Sequence, residues 1–330
     1  MHIRLQHTAL AALFLCAGVA SMHPVSAEDK RAPVTLDKRA VGAFNAIELA
    51  GPFRVIVSAG APRLELSGEP KQLAEIETEV RDGTLVVRQR ARTQFGFHWG
   101  KRDHAEVVVR IGAAGLTRLT NRGSGDVELD AVGGERFVLA SQGPGDIRAR
   151  GGVRELTVTS SGSGDLDLRQ VTANKVALTM SGPGDVHLGA VGNDLAARMS
   201  GSGDLEATDL RLTRAVAQIS GPGGARLRGQ ARELRLELTG SGDFDACELQ
   251  VEQFGSLQRG PGNACVAGNI RQFEAEVNGS GDLEARGLHA GRAVLRMNGP
   301  GNVTLSGTAD ELRADLTGSG ELDGGGLTVR

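Results

Sequence analysis

One position follows each of eleven Gly-Ser-Gly or Gly-Pro-Gly tripeptides, and it is the most regular source of charge in the chain. It holds Asp126, Asp146, Asp165, Asp185, Asp204, Asp243 and Asp282, while Gly224, Asn263, Asn302 and Glu321 fill the other places. Carboxylates in such a series either accept backbone N–H groups in turns or share a hard cation such as calcium. Calcium-binding nonapeptide repeats place a residue between the second Gly and the Asp, and their period is about half of this one. The expected role is therefore turn stabilisation, with calcium as the alternative. Gly224 and Asn263 suit a turn better than a metal ladder.

Two further groups carry chemistry. Cys247 and Cys265 remain after the Cys16 region is set aside, and an oxidising compartment would allow a disulfide between them. Cys247 lies four residues past Asp243 and Cys265 two past Asn263. On adjacent repeats that offset is about 7 Å along a strand and about 5 Å across, beyond the usual disulfide span, so the pairing stays open. The second group is the stretch 92–104, with Phe95, Phe97, His98, the single Trp99, Lys101 and Arg102. Aromatic rings beside cations suit a contact surface for sugars, membranes or proteins, or a plug for the end of a stack. His98 and His104 are too few and too loosely spaced for a metal centre, and no metal or cofactor is expected. No Ser-His-Asp or Cys-His spacing appears, and no phosphate-binding loop opens a helix, so the chain is not expected to be an enzyme.

The elements that position these residues follow from the repeat itself. The tripeptides begin at Gly123, Gly143, Gly162, Gly182, Gly201, Gly221, Gly240, Gly260, Gly279, Gly299 and Gly318, at intervals alternating between 20 and 19 residues. Their middle residue alternates Ser, Pro, Ser, Pro throughout, which nests the unit in a 39-residue pair. Gly at a corner supplies backbone angles with positive φ, and Pro fixes a bend. Short alternating runs such as Asp165-Leu166-Asp167-Leu168 and Leu234-Arg235-Leu236-Glu237-Leu238 place aliphatic residues on one face and charges on the other. A pair of such strands cannot bury its apolar face alone, but stacked copies build a continuous core. The fold class is all-β: a parallel, right-handed β-helix or solenoid with 19–20-residue rungs, a 39-residue rung being the alternative. A propeller would need aromatic signatures and antiparallel hairpins that are missing.

Composition agrees. Of 330 residues, 48 are Gly, aromatics are 3%, and the 40% hydrophobic content is mostly small aliphatic, which suits a narrow core. A net charge of −3 excludes a strong electrostatic case for nucleic acid or an anionic membrane surface.

Residues 1–27 read as a signal peptide, with Arg4, an apolar run from Thr8 to Val19, and a small-residue cleavage site at Val25-Ser26-Ala27. Residues 28–43 are expected to be a linker, 44–120 irregular N-terminal β rungs that cap one end, and 121–330 the eleven-copy solenoid. No transmembrane segment is expected in the mature chain, which would be periplasmic, secreted or displayed on the cell surface.

The opening Phe44-Asn45-Ala46-Ile47-Glu48, then Phe53-Arg54-Val55-Ile56-Val57, the run Ile76 to Val87 and the serial Gly-Ser-Gly-Asp-Leu corners resemble the putative auto-transporter adhesin head GIN domain family, over about residues 44–330. The resemblance implies an exported bacterial envelope protein of β-helical fold without established catalysis. The expected function is a non-catalytic structural or adhesive module of the envelope. The alternative is a carbohydrate-active β-helix enzyme or a polysaccharide-binding protein. Long insertions at successive corners would mark the enzyme, and the constant intervals leave no room for them. Expected partners are a second copy, through an open solenoid edge, and envelope polysaccharide or protein, but not nucleic acid.

Overall fold

The computed structural model describes residues 34–90 and 106–330. The segment Leu166–Met180 shows how one coil is made. Inward positions are Leu166 and Leu168, then Val171 and Ala173, then Val176, Leu178 and Met180, all buried. Strict alternation fails twice, at Arg169-Gln170 and at Asn174-Lys175, where two consecutive residues are exposed. Each failure shifts the inward phase by one residue and bends the chain, so a coil has three short sides. The tripeptide closes the third bend.

Successive coils stack as parallel strands. Ile147 pairs with Leu166, Leu166 with Val186 and Val186 with Leu205, so the coil is the 19–20-residue unit and not the 39-residue pair. Inside, like stacks on like: Leu139, Val158 and Leu178 form one buried column. Complete burial of such a side chain contributes about 1.5–3 kcal/mol relative to exposure. Phe244 is flanked by Ala225 and Ala264, whereas Phe254 stacks on Phe273 of the next coil with ring centroids 5.8 Å apart.

The corner glycines are required for a reason other than the expected one. Among them only Gly318 has positive φ. The others lie against the backbone of the preceding coil: a Cβ on Gly164 would stand 2.2 Å from the carbonyl oxygen of Gly145. Close backbone stacking excludes a side chain there.

Nine short strands and one helical turn make up the N-terminal end, and some of them depart from this plan. They are β1 (Thr35–Arg39), β2 (Ala46–Ala50), β3 (Arg54–Ala59), β4 (Arg63–Gly68), α1 (Pro70–Leu73), β5 (Ile76–Arg81), β6 (Thr84–Gln89), β7 (Val108–Ala113), β8 (Arg118–Asn121) and β9 (Val127–Val132). Strands β2 and β3 form two sides of a coil, stacked parallel on β8 and β9. Its corner is Gly51-Pro52, and a Cβ on Gly123 would meet the Gly51 carbonyl at 2.2 Å. Below it, β6 and β7 pair parallel with β2 and β3 as the two sides of the next coil. Beyond them the direction reverses: β5 runs antiparallel to β6, and β4 to β7. The β5–β6 reversal is made by Asp82 and Gly83, both at positive φ (48° and 71°), as a two-residue hairpin requires. Strand β1 adds antiparallel to β4.

Residues 28–43, expected to be a linker, thus contribute a strand. Thr35-Leu36-Asp37-Lys38-Arg39 is too short and too charged to show its alternation. It is held by pairing and by Arg39, whose guanidinium donates to the carbonyls of Leu73 (2.9 Å) and Ile76 (2.7 Å). At the other end, Leu316 and Val329 are half exposed (49% and 51%), whereas Met297 and Ala309, their partners one coil earlier, are buried.

Candidate functional site

The corner carboxylates form one exposed column on the stack. Each side chain accepts the backbone N–H of the equivalent residue one coil on: Asp126 Oδ1 from Asp146 at 3.2 Å, Asp146 from Asp165 at 2.9 Å, Asp165 from Asp185 at 2.9 Å and Asp185 from Asp204 at 2.8 Å. Asp204 accepts from Gly224 (2.7 Å), and the series restarts with Asp243 accepting from Asn263 (2.9 Å). Asn263 serves Asp282 (3.0 Å), and Asp282 serves Asn302 (2.8 Å). Amide and carboxylate oxygens do the same work in this column, and Gly224 is the one position that supplies no acceptor.

A second outward ladder stands two residues further along each coil. In stacking order it reads Glu128, Arg148, Asp167, His187, Glu206, Arg226, Asp245, Cys265, Glu284, Thr304, Asp323. Every coil with a Ser corner places an acid here, and no coil with a Pro corner does. Strands stack about 4.8 Å apart, so the alternation keeps like charges about 10 Å apart and places Arg148, His187 and Arg226 between the first four acids. Arg226 bonds Asp245 at 3.0 Å and His187 Nδ1 lies 3.4 Å from Glu206. Arg169 bonds the Asp167 carboxylate at 2.6 Å and, against partial burial, holds its pKa down to about 2. This ladder is the physical content of the 39-residue pair. Its signal was present in the sequence at a fixed offset from each corner, but it becomes visible only when the units are aligned by register.

Cys247 and Cys265 meet across adjacent coils as a disulfide, with their Cα atoms 5.3 Å apart. The two-residue offset read from the sequence is absorbed by a bulge. Cys265 lies opposite Asp245 in the regular register, and Cys247 falls in the stretch after Ala246 where the register shifts. The Cys247 N–H donates to Asp245 Oδ1 at 3.1 Å, which holds the bulge.

Phe95, Phe97, His98, Trp99, Lys101 and Arg102 lie outside the described residues. The described strands on either side of that stretch, β6 and β7, pair parallel with β2 and β3.

Shallow hollows lie along the surface, two of which bear on binding. The larger, about 1020 Å³, lies beside Ala59, Leu116, Asp130, Gly134, Arg136 and Arg154, and its lining contains no Ser, Cys or His. A second, about 360 Å³, follows the middle bend, where Arg211, Gln230, Arg232, Gln250 and Asn269 come together with Glu252. Guanidinium and amide groups in a shallow groove can hold hydroxyls and carboxylates.

The pattern of the family described as putative auto-transporter adhesin, head GIN domain, matches residues 43–230, 189–270 and 266–330. The chain belongs to this family. Similar solved structures include a putative adhesin from Parabacteroides distasonis (17% identity, 88% of this chain and 97% of that one, TM-score 0.41). Another putative adhesin, from Parabacteroides merdae, is 16% identical over 90% of this chain and 96% of its own, with a TM-score of 0.40. A third, from Parabacteroides distasonis and described as a putative lipid binding protein, is 16% identical over 90% and 97%, with a TM-score of 0.39. No curated protein matches the chain. The family's pattern reaches from β2 to the last regular corner in three overlapping matches.

Proposed function

We propose that this member of the family is an exported, non-catalytic β-solenoid that serves as a structural or adhesive module of the bacterial envelope. The observation that carries the reading is the uniformity of the coils. Eleven corners at 19- and 20-residue intervals carry outward ladders of paired charge and no inserted loop that would wall off a reaction site. A surface of this kind binds by repetition, with many weak contacts adding along a rigid rod. Purified protein is expected to bind envelope fractions in a salt-sensitive manner, measured by co-sedimentation. Release of reducing sugars from envelope polymers would overturn the non-catalytic reading.

The groove at Arg211, Gln230, Arg232, Gln250 and Asn269 favours acidic polysaccharide as the envelope component bound. The half-exposed Leu316 and Val329 favour end-to-end pairing with a second copy, whose own last coil offers the same apolar face. Light scattering tests that part: a mass that stays at one chain across a wide concentration range excludes it.

A further inference from the structure

Three observations converge on the neighbourhood of Cys265. First, the sulfurs of Cys247 and Cys265 and a carboxylate oxygen of Glu284 all lie within 4.8 Å of one another, on three consecutive coils and half-buried. Second, the Glu284 carboxylate is already oriented. Its Oε1 is held by Arg286 at 2.6 Å, and its Oε2 faces Cys265 Sγ at 3.8 Å. Third, the charge ladder has a gap here. Cys265 stands on a Pro-corner coil between the acids Asp245 and Glu284, where the earlier Pro-corner coils place Arg148, His187 and Arg226. The position lies between two acids, and the side chain present is a soft metal ligand.

We propose that, when the disulfide is reduced, Cys247, Cys265 and Glu284 form a binding site for a thiophilic divalent cation such as zinc. Tetrahedral zinc holds sulfur at about 2.3 Å and oxygen at about 2.0–2.2 Å, which places neighbouring ligand atoms about 3.5–3.8 Å apart. The sulfur-to-carboxylate separation already lies in that range. Arg286 acts as the outer partner that fixes the ligating carboxylate and offsets the charge of two thiolates. The chemistry balances in two steps. A dithiol or phosphine reductant supplies two electrons, two protons are taken up and the S–S bond becomes two thiols. The cation then displaces those two protons and is held by two thiolates and one carboxylate, with a fourth position open to water. Disulfide and metal are mutually exclusive states of one site, so oxidation ejects the cation.

The test uses the full chain, reduced with a phosphine and stripped of metal, then titrated with cobalt as a spectroscopic probe and with zinc as competitor. One equivalent of cobalt is expected to give a sulfur-to-metal charge-transfer absorption in the near ultraviolet, which zinc abolishes. The oxidised chain, which needs no mutation, and the Cys247→Ser/Cys265→Ser variant are expected to give none. Glu284→Gln and Arg286→Ala are each expected to weaken binding by about tenfold or more. Far-ultraviolet circular dichroism establishes that each variant is folded. Absence of the band in the reduced wild-type chain overturns the proposal, as does a band that survives in the double Ser variant or an undiminished affinity in Glu284→Gln.

Discussion

The Asp146 carboxylate accepts the backbone N–H of Asp165, one coil away, at 2.9 Å. The same bond recurs along the stack with Asn as the acceptor at Asn263 and Asn302. The column therefore works as backbone satisfaction and needs no cation to do so. It follows that Asp204→Asn, which keeps the acceptor for Gly224, is expected to change stability by less than about 0.5 kcal/mol, while Asp204→Ala loses it and costs about 1 kcal/mol. Thermal unfolding with and without calcium checks both. A rise in melting temperature on adding calcium, lost in Asp204→Asn, would restore the calcium alternative.

Two glycines on the solenoid differ in what surrounds them. A Cβ on Gly164 meets the Gly145 carbonyl oxygen at 2.2 Å, whereas nothing lies within 4 Å of one on Gly255. Gly164→Ala is expected to destabilise by about 3 kcal/mol or more, since two backbones must separate. Gly255→Ala is expected to be neutral or to stabilise by up to about 1 kcal/mol, through the unfolded chain. Urea denaturation of the two variants measures the contrast, and equal effects would sink the close-stacking explanation.

Gln258 is fully buried, stacked between Leu238 and Val277, and neither atom of its amide has a hydrogen-bond partner. A buried polar group without a partner costs about 1–3 kcal/mol. Replacement by Met, of similar shape, is expected to recover most of that and raise the urea midpoint. A lower midpoint would mean that the amide is satisfied in solution.

Asp167 titrates at about 2, because Arg169 hydrogen-bonds its carboxylate. In the unfolded chain the pKa returns to about 3.9. A group whose pKa is depressed by folding stabilises the fold above the unfolded value, and that contribution is lost as pH falls from about 4 toward 2. Asp167 is part-exposed, so the amount is on the order of 1–2 kcal/mol after allowance for solvent screening. Wild-type protein is therefore expected to exceed Asp167→Asn in stability at pH 5 and to converge with it near pH 2. Parallel curves across that range would exclude the linkage.

Much of the fold was legible because its information is local. The interval of 19 and 20 residues, the Gly-X-Gly corners and the alternation of aliphatic and charged residues each reflect one coil repeating its own solution. The corner at Gly51-Pro52 was not legible, since Phe53 replaces the second Gly and the whole cap separates it from Gly123 along the chain. Yet Pro52 extends the Ser/Pro alternation by one further coil when the strands are stacked. The antiparallel strands of the cap were hidden for a similar reason: parallel and antiparallel partners draw on the same alternating pattern, and only the Asp82-Gly83 hairpin marks the reversal.

The candidate sites divide in the same way. The carboxylate column could be read from the sequence at a fixed offset from each corner, whereas the second ladder emerged only from the register of stacked coils. The meeting of Cys247 with Cys265, and of both with Glu284, could not. A register shift after Ala246 decides it, at the bend where most neighbouring coils also change register, and its local extent is set by packing and not by the repeat. The sequence by itself determined the period, the corners and the sign of the outward charges. Tertiary structure alone decided the cap's reversal, the Gly-to-backbone contacts that make the corners necessary, and the trio of ligands at Cys265, because each depends on which coil lies against which and at what local shift.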